Sequence, residues 1–173
     1  LATDRAPVVE AAAAELWPLD VTSQADWARA LAEVERRWGG LDLLVNNAGI
    51  AGGGRLDVAD LDEWHRVLDV NLLGIVRGLS VFVPLFKRQG SGRIVNVASL
   101  AGLVHPAGMA AYNAAKAGVV ALTETVGHEL AAYGVTATAV CPGCPPSGTK
   151  WLRKMVAAPA AMAQAGPCVW SCS

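Results

Sequence analysis

Gly92-Arg-Ile-Val-Asn-Val-Ala-Ser99, followed after a short gap by Ala110-Ala-Tyr-Asn-Ala-Ala-Lys116, decides how this chain folds. Ile94 to Val97 is a short apolar run, read as a strand. Ala110 to Tyr133 is a long helix-forming segment closed by Gly134. A strand followed by a helix then meets a further apolar strand, Val135 to Val140. The same alternation lies upstream. Leu41 to Val45 is a continuous apolar run of the kind buried inside parallel sheets. Asp62 opens a long helix whose apolar stripe is Leu61, Trp64, Leu68, Leu72, Ile75, Leu79, Phe82 and Phe86. Pro84 is expected to bend it near its end. Strands alternating with helices predict an α/β fold built from parallel βαβ units with right-handed crossovers.

Further out, Leu1 to Asp4 reads as the end of a strand, and the alanine-rich Val8 to Leu16 as a helix. Leu16 to Val21 is a second short apolar run, interrupted by Pro18. Thr22-Ser23 supplies an N-cap, and Trp27, Leu31, Val34 and Trp38 follow helical spacing to a stop at Gly39-Gly40.

The chemistry concentrates on Tyr112 and Lys116. At i and i+4 they share one face of a helix. A phenol is a poor proton carrier at neutral pH because its ordinary pKa is about 10. An ammonium one turn away favours the phenolate, which makes the pair a tunable general acid/base. Ser99, at the end of the preceding strand, has the position to hold a substrate oxygen against the phenol. The bland alternatives are a surface lysine beside a half-buried tyrosine, and a serine that caps a strand.

Asn46-Asn47-Ala48-Gly49, Asn71 in Asp-Val-Asn-Leu-Leu-Gly, Ser99, Tyr112 with Lys116, and Pro142-Gly143 follow one another in order. Together they resemble the short-chain dehydrogenase/reductase family, which binds NAD or NADP on a Rossmann fold. The resemblance covers about Leu1 to Gly143. It implies a Rossmann-like three-layer αβα sandwich with a mostly parallel sheet. It implies an oxidoreductase moving hydride between a nicotinamide cofactor and an alcohol or carbonyl. Tyr112 would exchange the proton, Lys116 would lower its pKa and hydrogen-bond the nicotinamide ribose, and Ser99 would orient the substrate oxygen. Asn71 would hold a water that links Lys116 to solvent; its alternative is a helix residue satisfied by backbone. Asn46, Ala48 and Gly49 would let backbone approach the adenosine ribose, with an ordinary turn as the alternative. Asp20 and Val21 would meet the adenine, unless Asp20 simply caps the next helix. Pro142 and Gly143 would complete the cofactor site.

Asp4 would accept a hydrogen bond from the ribose 2′-OH and repel a 2′-phosphate, favouring NAD over NADP. Arg5 beside it works the other way. In the family a first strand and a Gly-rich turn precede the position of Leu1, so the chain is expected to lack both. The missing strand would lie between two others and leave their edges unpaired. The second functional reading is therefore a catalytically impaired remnant that acts only by association through its long helices. An active family member would form a homodimer or homotetramer through those same helices.

Bulk composition agrees with a small-molecule role. The 173 residues suit one domain, 53% are hydrophobic, and the net charge of −1 gives no reason to expect a nucleic-acid partner. No apolar run long enough to span a bilayer and no secretory leader is read, so no membrane partner is expected and a cytoplasmic setting is the default. All four cysteines (141, 144, 168, 172) fall near the end. Zinc ligation and a redox dithiol are the sharp readings. A strand-end cysteine plus three tail cysteines is preferred, because Pro145-Pro146 follows at once and the two spacings do not match; no metal is expected. Residues 1–143 thus form a partial Rossmann domain and 144–173 a divergent tail. Substrate choice is assigned to the loop Leu100 to Met109, where Leu103, Val104 and Met109 suggest an apolar pocket, and to the segment after Gly143; His105 is read either as a loop residue or as one expected to line that pocket.

Overall fold

The computed structural model describes residues 2–4, 16–143 and 169–170, with backbone alone at 2–4, 16 and 169–170. The expected helix before Leu16 and the tail beyond Gly143 lie outside the described residues. So do Cys144, Cys168 and Cys172.

The strands are β1 (Ala2–Asp4), β2 (Leu16–Pro18), β3 (Leu43–Asn46), β4 (Gly92–Val97), β5 (Val135–Val140) and β6 (Val169–Trp170). β1 and β2 form a parallel pair; among the described residues β2 pairs on one side only, a setting that tolerates Pro18. A second sheet runs β3-β4-β5-β6, parallel except for β6. Among the described residues nothing pairs with the outer edge of β3.

Helix α1 (Gln24–Trp38) starts where Ser23 accepts from the Asp26 N–H, and ends at Gly39 in the left-handed region (φ 71°). The long helix starts one residue before Asp62, capped by the Asp60 side chain. It is α2 (Leu61–Leu68) joined to α3 (Gly74–Gln89) by a π turn at Asp69–Leu73. A π turn takes more residues than an α turn, so it rotates the stripe that follows. The apolar positions therefore divide. Ile75, Leu79, Phe82 and Phe86 enter the main core, Trp64 and Leu68 pack on a smaller cluster, and Leu72, within the π turn, touches both. Leu61 is left 73% exposed, off the stripe predicted for it. α2 and α3 together are long and apolar enough to cross a membrane by composition, yet α3 is a core helix. α3 continues through Pro84 to Gln89. The segment read as a loop after Ser99 contains a short helix, α4 (Ala101–Val104), and α5 runs Ala110–Leu130.

One core lies between the sheet face bearing Leu44, Ile94 and Val135 and the helices α1, α3 and α5. Trp27 anchors it edge-on to Phe82, ring centroids 6.2 Å apart. Two sequence expectations fail here. Trp38, at the last position of α1, is 54% exposed beneath the Arg37 guanidinium. β3 is buried on alternate residues only: Leu43 and Val45 remain 44% and 47% exposed. The run is apolar throughout, but among the described residues little packs on its second face.

Candidate active site

The carboxyl ends of β3, β4 and β5 meet the start of α5, where ligands bind in open α/β sheets. The chain leaving β4 is tied to the chain leaving β5. The Ala98 N–H donates to the Val140 carbonyl at 2.8 Å and the Leu100 N–H to the Pro142 carbonyl at 2.9 Å. These bonds fix Ser99, half-buried, between them. Its Oγ accepts at 3.1 Å from the N–H of Ala101, the first residue of α4. α4 then lies hard against α5: a Cβ on Gly102 would stand 2.7 Å from the backbone carbon and oxygen of Lys116. Only glycine allows the segment after Ser99 to come this close.

Tyr112 and Lys116 occupy the first turns of α5 on one face. The Lys116 Nζ lies 5.8 Å from the centroid of the Tyr112 ring and donates to the Val97 carbonyl at 2.8 Å. Lys116 is 3% exposed. Burial pushes its pKa down from 10.5 to about 8, and the neighbouring Cys141 opposes the shift. Tyr112 is half-buried against the small cluster with Ile50, Trp64, Leu68 and Leu72.

Asn71 sits in the π turn, fully buried. Its Oδ1 accepts from the Ile50 N–H at 2.7 Å and its Nδ2 donates to the Ile50 carbonyl at 2.9 Å. It therefore clamps the loop after β3 with both side-chain atoms. Gly49 faces the same place: a Cβ there would be 3.1 Å from the Asn71 Oδ1 and 3.5 Å from the Lys116 Nζ. Asn71, Gly49, Lys116 and Tyr112 are thus brought together from three elements.

Other expected residues are placed differently. Asn46 alternates with the exposed Val45, so its side chain turns into the core and donates to Asn96 Oδ1 at 2.8 Å. It offers backbone, not side chain, at the open end. Ala48 is exposed beside Gly49. Asp20 accepts from the Thr22 N–H at 3.0 Å and the Thr22 hydroxyl at 2.8 Å, a turn-capping role. Val21 packs against the core, and its carbonyl takes the Trp27 indole N–H at 3.1 Å. Pro142 and Gly143 follow β5 after Cys141. β1 ends at Asp4, whose side chain lies outside the described part. Val104 and His105 are exposed, His105 ending α4 in the left-handed region (φ 51°), whereas Leu103 borders a small apolar cavity with Val120, Ala137 and Cys141, and Met109 is half-buried.

Asn96 and Thr123 escaped the sequence reading. Asn96 donates to the Thr123 hydroxyl at 2.9 Å, and Thr123 donates on to the Val119 carbonyl at 2.6 Å. The available signal was an asparagine inside an apolar strand, which must find a buried partner.

Comparison with known proteins places the chain in a family. The short chain dehydrogenase family profile matches residues 5–155. Trans-4-hydroxycyclohexanecarboxylate dehydrogenase of Sinomonas cyclohexanicum is 44% identical over 125 residues, covering 72% of this chain and 48% of its own length. D-beta-hydroxybutyrate dehydrogenase of Rhizobium meliloti is 40% identical, with 73% and 49% covered. The chain spans about half the length of the curated relatives it matches. The crystal structure of NAD+-bound xylitol dehydrogenase superposes with a TM-score of 0.75 at 36% identity, over 80% of this chain and 54% of that one. This chain, with its Rossmann-like parallel sheet and helices, belongs to the short-chain dehydrogenase family of oxidoreductases.

Proposed function

We propose that the protein interconverts an alcohol and a carbonyl using a nicotinamide cofactor, with Tyr112 as the proton carrier, Lys116 as its tuner and Ser99 as the holder of the substrate oxygen. The observation that carries this is the buried Lys116 ammonium one helical turn from Tyr112, beside the strand end that bears Gly49. A Cβ at Gly49 would crowd the Asn71 Oδ1 and the Lys116 Nζ, so this exposed turn presents backbone alone, which fits a group laid against backbone. Ala48, Gly49, Asp20, Val21, Pro142 and Gly143 would border the cofactor, and Lys116 would reach its ribose. When bound, the nicotinamide supplies or accepts the hydride.

The chain's own residues handle the proton and the position. In reduction, the Tyr112 phenol gives its proton to the carbonyl oxygen, and in oxidation the phenolate takes it from the alcohol. Lys116 stabilises the phenolate by its charge, more strongly for being shielded from water. The Ser99 hydroxyl, set beside α4 by the Gly102 contact, hydrogen-bonds the same oxygen. Asp4 favours NAD over NADP. Leu73 and Val76, 43% and 39% exposed on the long helix, support association of copies through it.

Titration of NADH and NADPH followed by nicotinamide fluorescence, with secondary alcohols offered to NAD+, tests this reading. Expected are tighter binding of NADH than NADPH, and weaker binding in Lys116→Met. Tyr112→Phe is expected to lose about 10²–10⁴-fold in turnover while still binding NADH. Absence of binding by either dinucleotide would sink the reading in favour of a remnant acting by association.

A further inference from the structure

We propose that Asn96 and Thr123 are positioning residues for the Tyr112–Lys116 pair, acting through a buried hydrogen-bond chain that joins β3, β4 and α5. The chain starts at Asn46, whose Nδ2 donates to Asn96 Oδ1 at 2.8 Å. Asn96 Nδ2 donates to the Thr123 hydroxyl at 2.9 Å, and that hydroxyl donates to the Val119 carbonyl at 2.6 Å. Each side chain is at most 5% exposed. The direction of every bond is set by the last one: a threonine hydroxyl that donates into its own helix must accept from Asn96, which then must accept from Asn46.

The placement gives the chain its consequence. Lys116 and Thr123 are seven residues apart, two helical turns, and so lie on one face of α5. Both bond to neighbouring residues of β4: Thr123 to the Asn96 side chain, Lys116 to the Val97 carbonyl. The helix is thereby held to the strand at two points. In the proposed reaction Lys116 has other partners to serve, so its bond to Val97 is the one that must exchange. The Asn96–Thr123 bond is the tie left to fix where α5 lies along the end of β4. At its far end the chain meets close packing: a Cβ on Gly78 would stand 3.1 Å from the Asn46 Oδ1 and 2.9 Å from the Trp27 ring. Asn46 therefore has no room to swing away.

The proposal rests on the acid/base reading of Tyr112 and Lys116, but its test does not need turnover. In the 173-residue chain carrying ¹³C-labelled lysine, the Cε shift of Lys116, assigned with Lys116→Met, reports its titration. Cys141 and Tyr112 are the titratable groups beside it and are present in every variant. Thr123→Val keeps the shape and removes the hydroxyl. It is expected to move the Lys116 midpoint up from about 8 by about one pH unit, as the helix shifts and water reaches the ammonium. Thr123→Ser, which keeps the hydroxyl, is expected to hold the midpoint within a few tenths. Val34→Ala, a core change on α1 away from the chain, is expected to lower thermal stability and leave Lys116 alone. An unmoved midpoint in Thr123→Val overturns the proposal, and so does an equal movement in Val34→Ala. Should Thr123→Val not fold, Thr123→Ala set against Thr123→Ser decides by the same criterion.

Discussion

Lys116 shows what a reactive residue costs the fold that holds it. Its ammonium is buried, and its pKa falls from 10.5 to about 8. The folded state therefore binds its proton less tightly than the unfolded chain. Stability contributed by this site rises with pH between about 8 and 10.5, and below that window the buried charge is a standing penalty. Lys116→Met is accordingly expected to stabilise the chain at pH 7 by about 1–3 kcal/mol, a gain that shrinks to nothing above about pH 10.5. Urea unfolding at pH 7 and pH 10.5 checks it. Gly102 carries the opposite lesson, because a methyl there meets backbone that cannot give way. Gly102→Ala is expected to cost about 1–3 kcal/mol, read as a lower melting temperature. The Tyr112–Lys116 pair was legible because helical spacing alone fixes a shared face. The inward turn of Asn46 was not, because strand alternation decides it and the run Leu-Leu-Val-Asn hides which parity is buried.

Among the elements, β3, β4, β5 and α5 were legible from apolar runs bounded by glycine or polar residues. The π turn at Asp69–Leu73 was not. No composition marks it; Trp64 and Leu68 before it reach the smaller cluster, and Ile75 and Leu79 after it reach the main core. It gives Asn71 a position from which both its side-chain atoms meet the Ile50 backbone. Asn71→Leu leaves that half-buried amide and carbonyl without their side-chain partners, which costs about 1 kcal/mol or more. The expected result is a lower unfolding midpoint, with faster deuterium exchange at the Ile50 amide than in the parent. Unchanged exchange there would show that the clamp is dispensable. α4 was likewise invisible: four residues are too few for periodicity, and its N-cap is Leu100, which carries no capping side chain.

For the molecule as a whole, the α/β order followed from the alternation of apolar strands and helices, whereas the exposure of β3 did not. A continuous apolar run predicts two buried faces, but Leu43 and Val45 are open here and the outer edge of the strand has no described partner. An apolar unpaired edge favours self-association. Val45→Lys is expected to reduce concentration-dependent light scattering while changing stability by about 0.5 kcal/mol or less, as for other exposed positions. The edge also has a spectroscopic consequence. The Asp42 carbonyl accepts from the Arg93 N–H, so in a parallel ladder the even-numbered residues of β3 bond inward to β4. The amides of Leu43 and Val45 point the other way. Within four consecutive residues, fast and slow solvent exchange should alternate, with Leu44 and Asn46 as built-in references. A slow amide at Val45 would then announce, without any structure of the assembly, that another backbone has come to lie along β3.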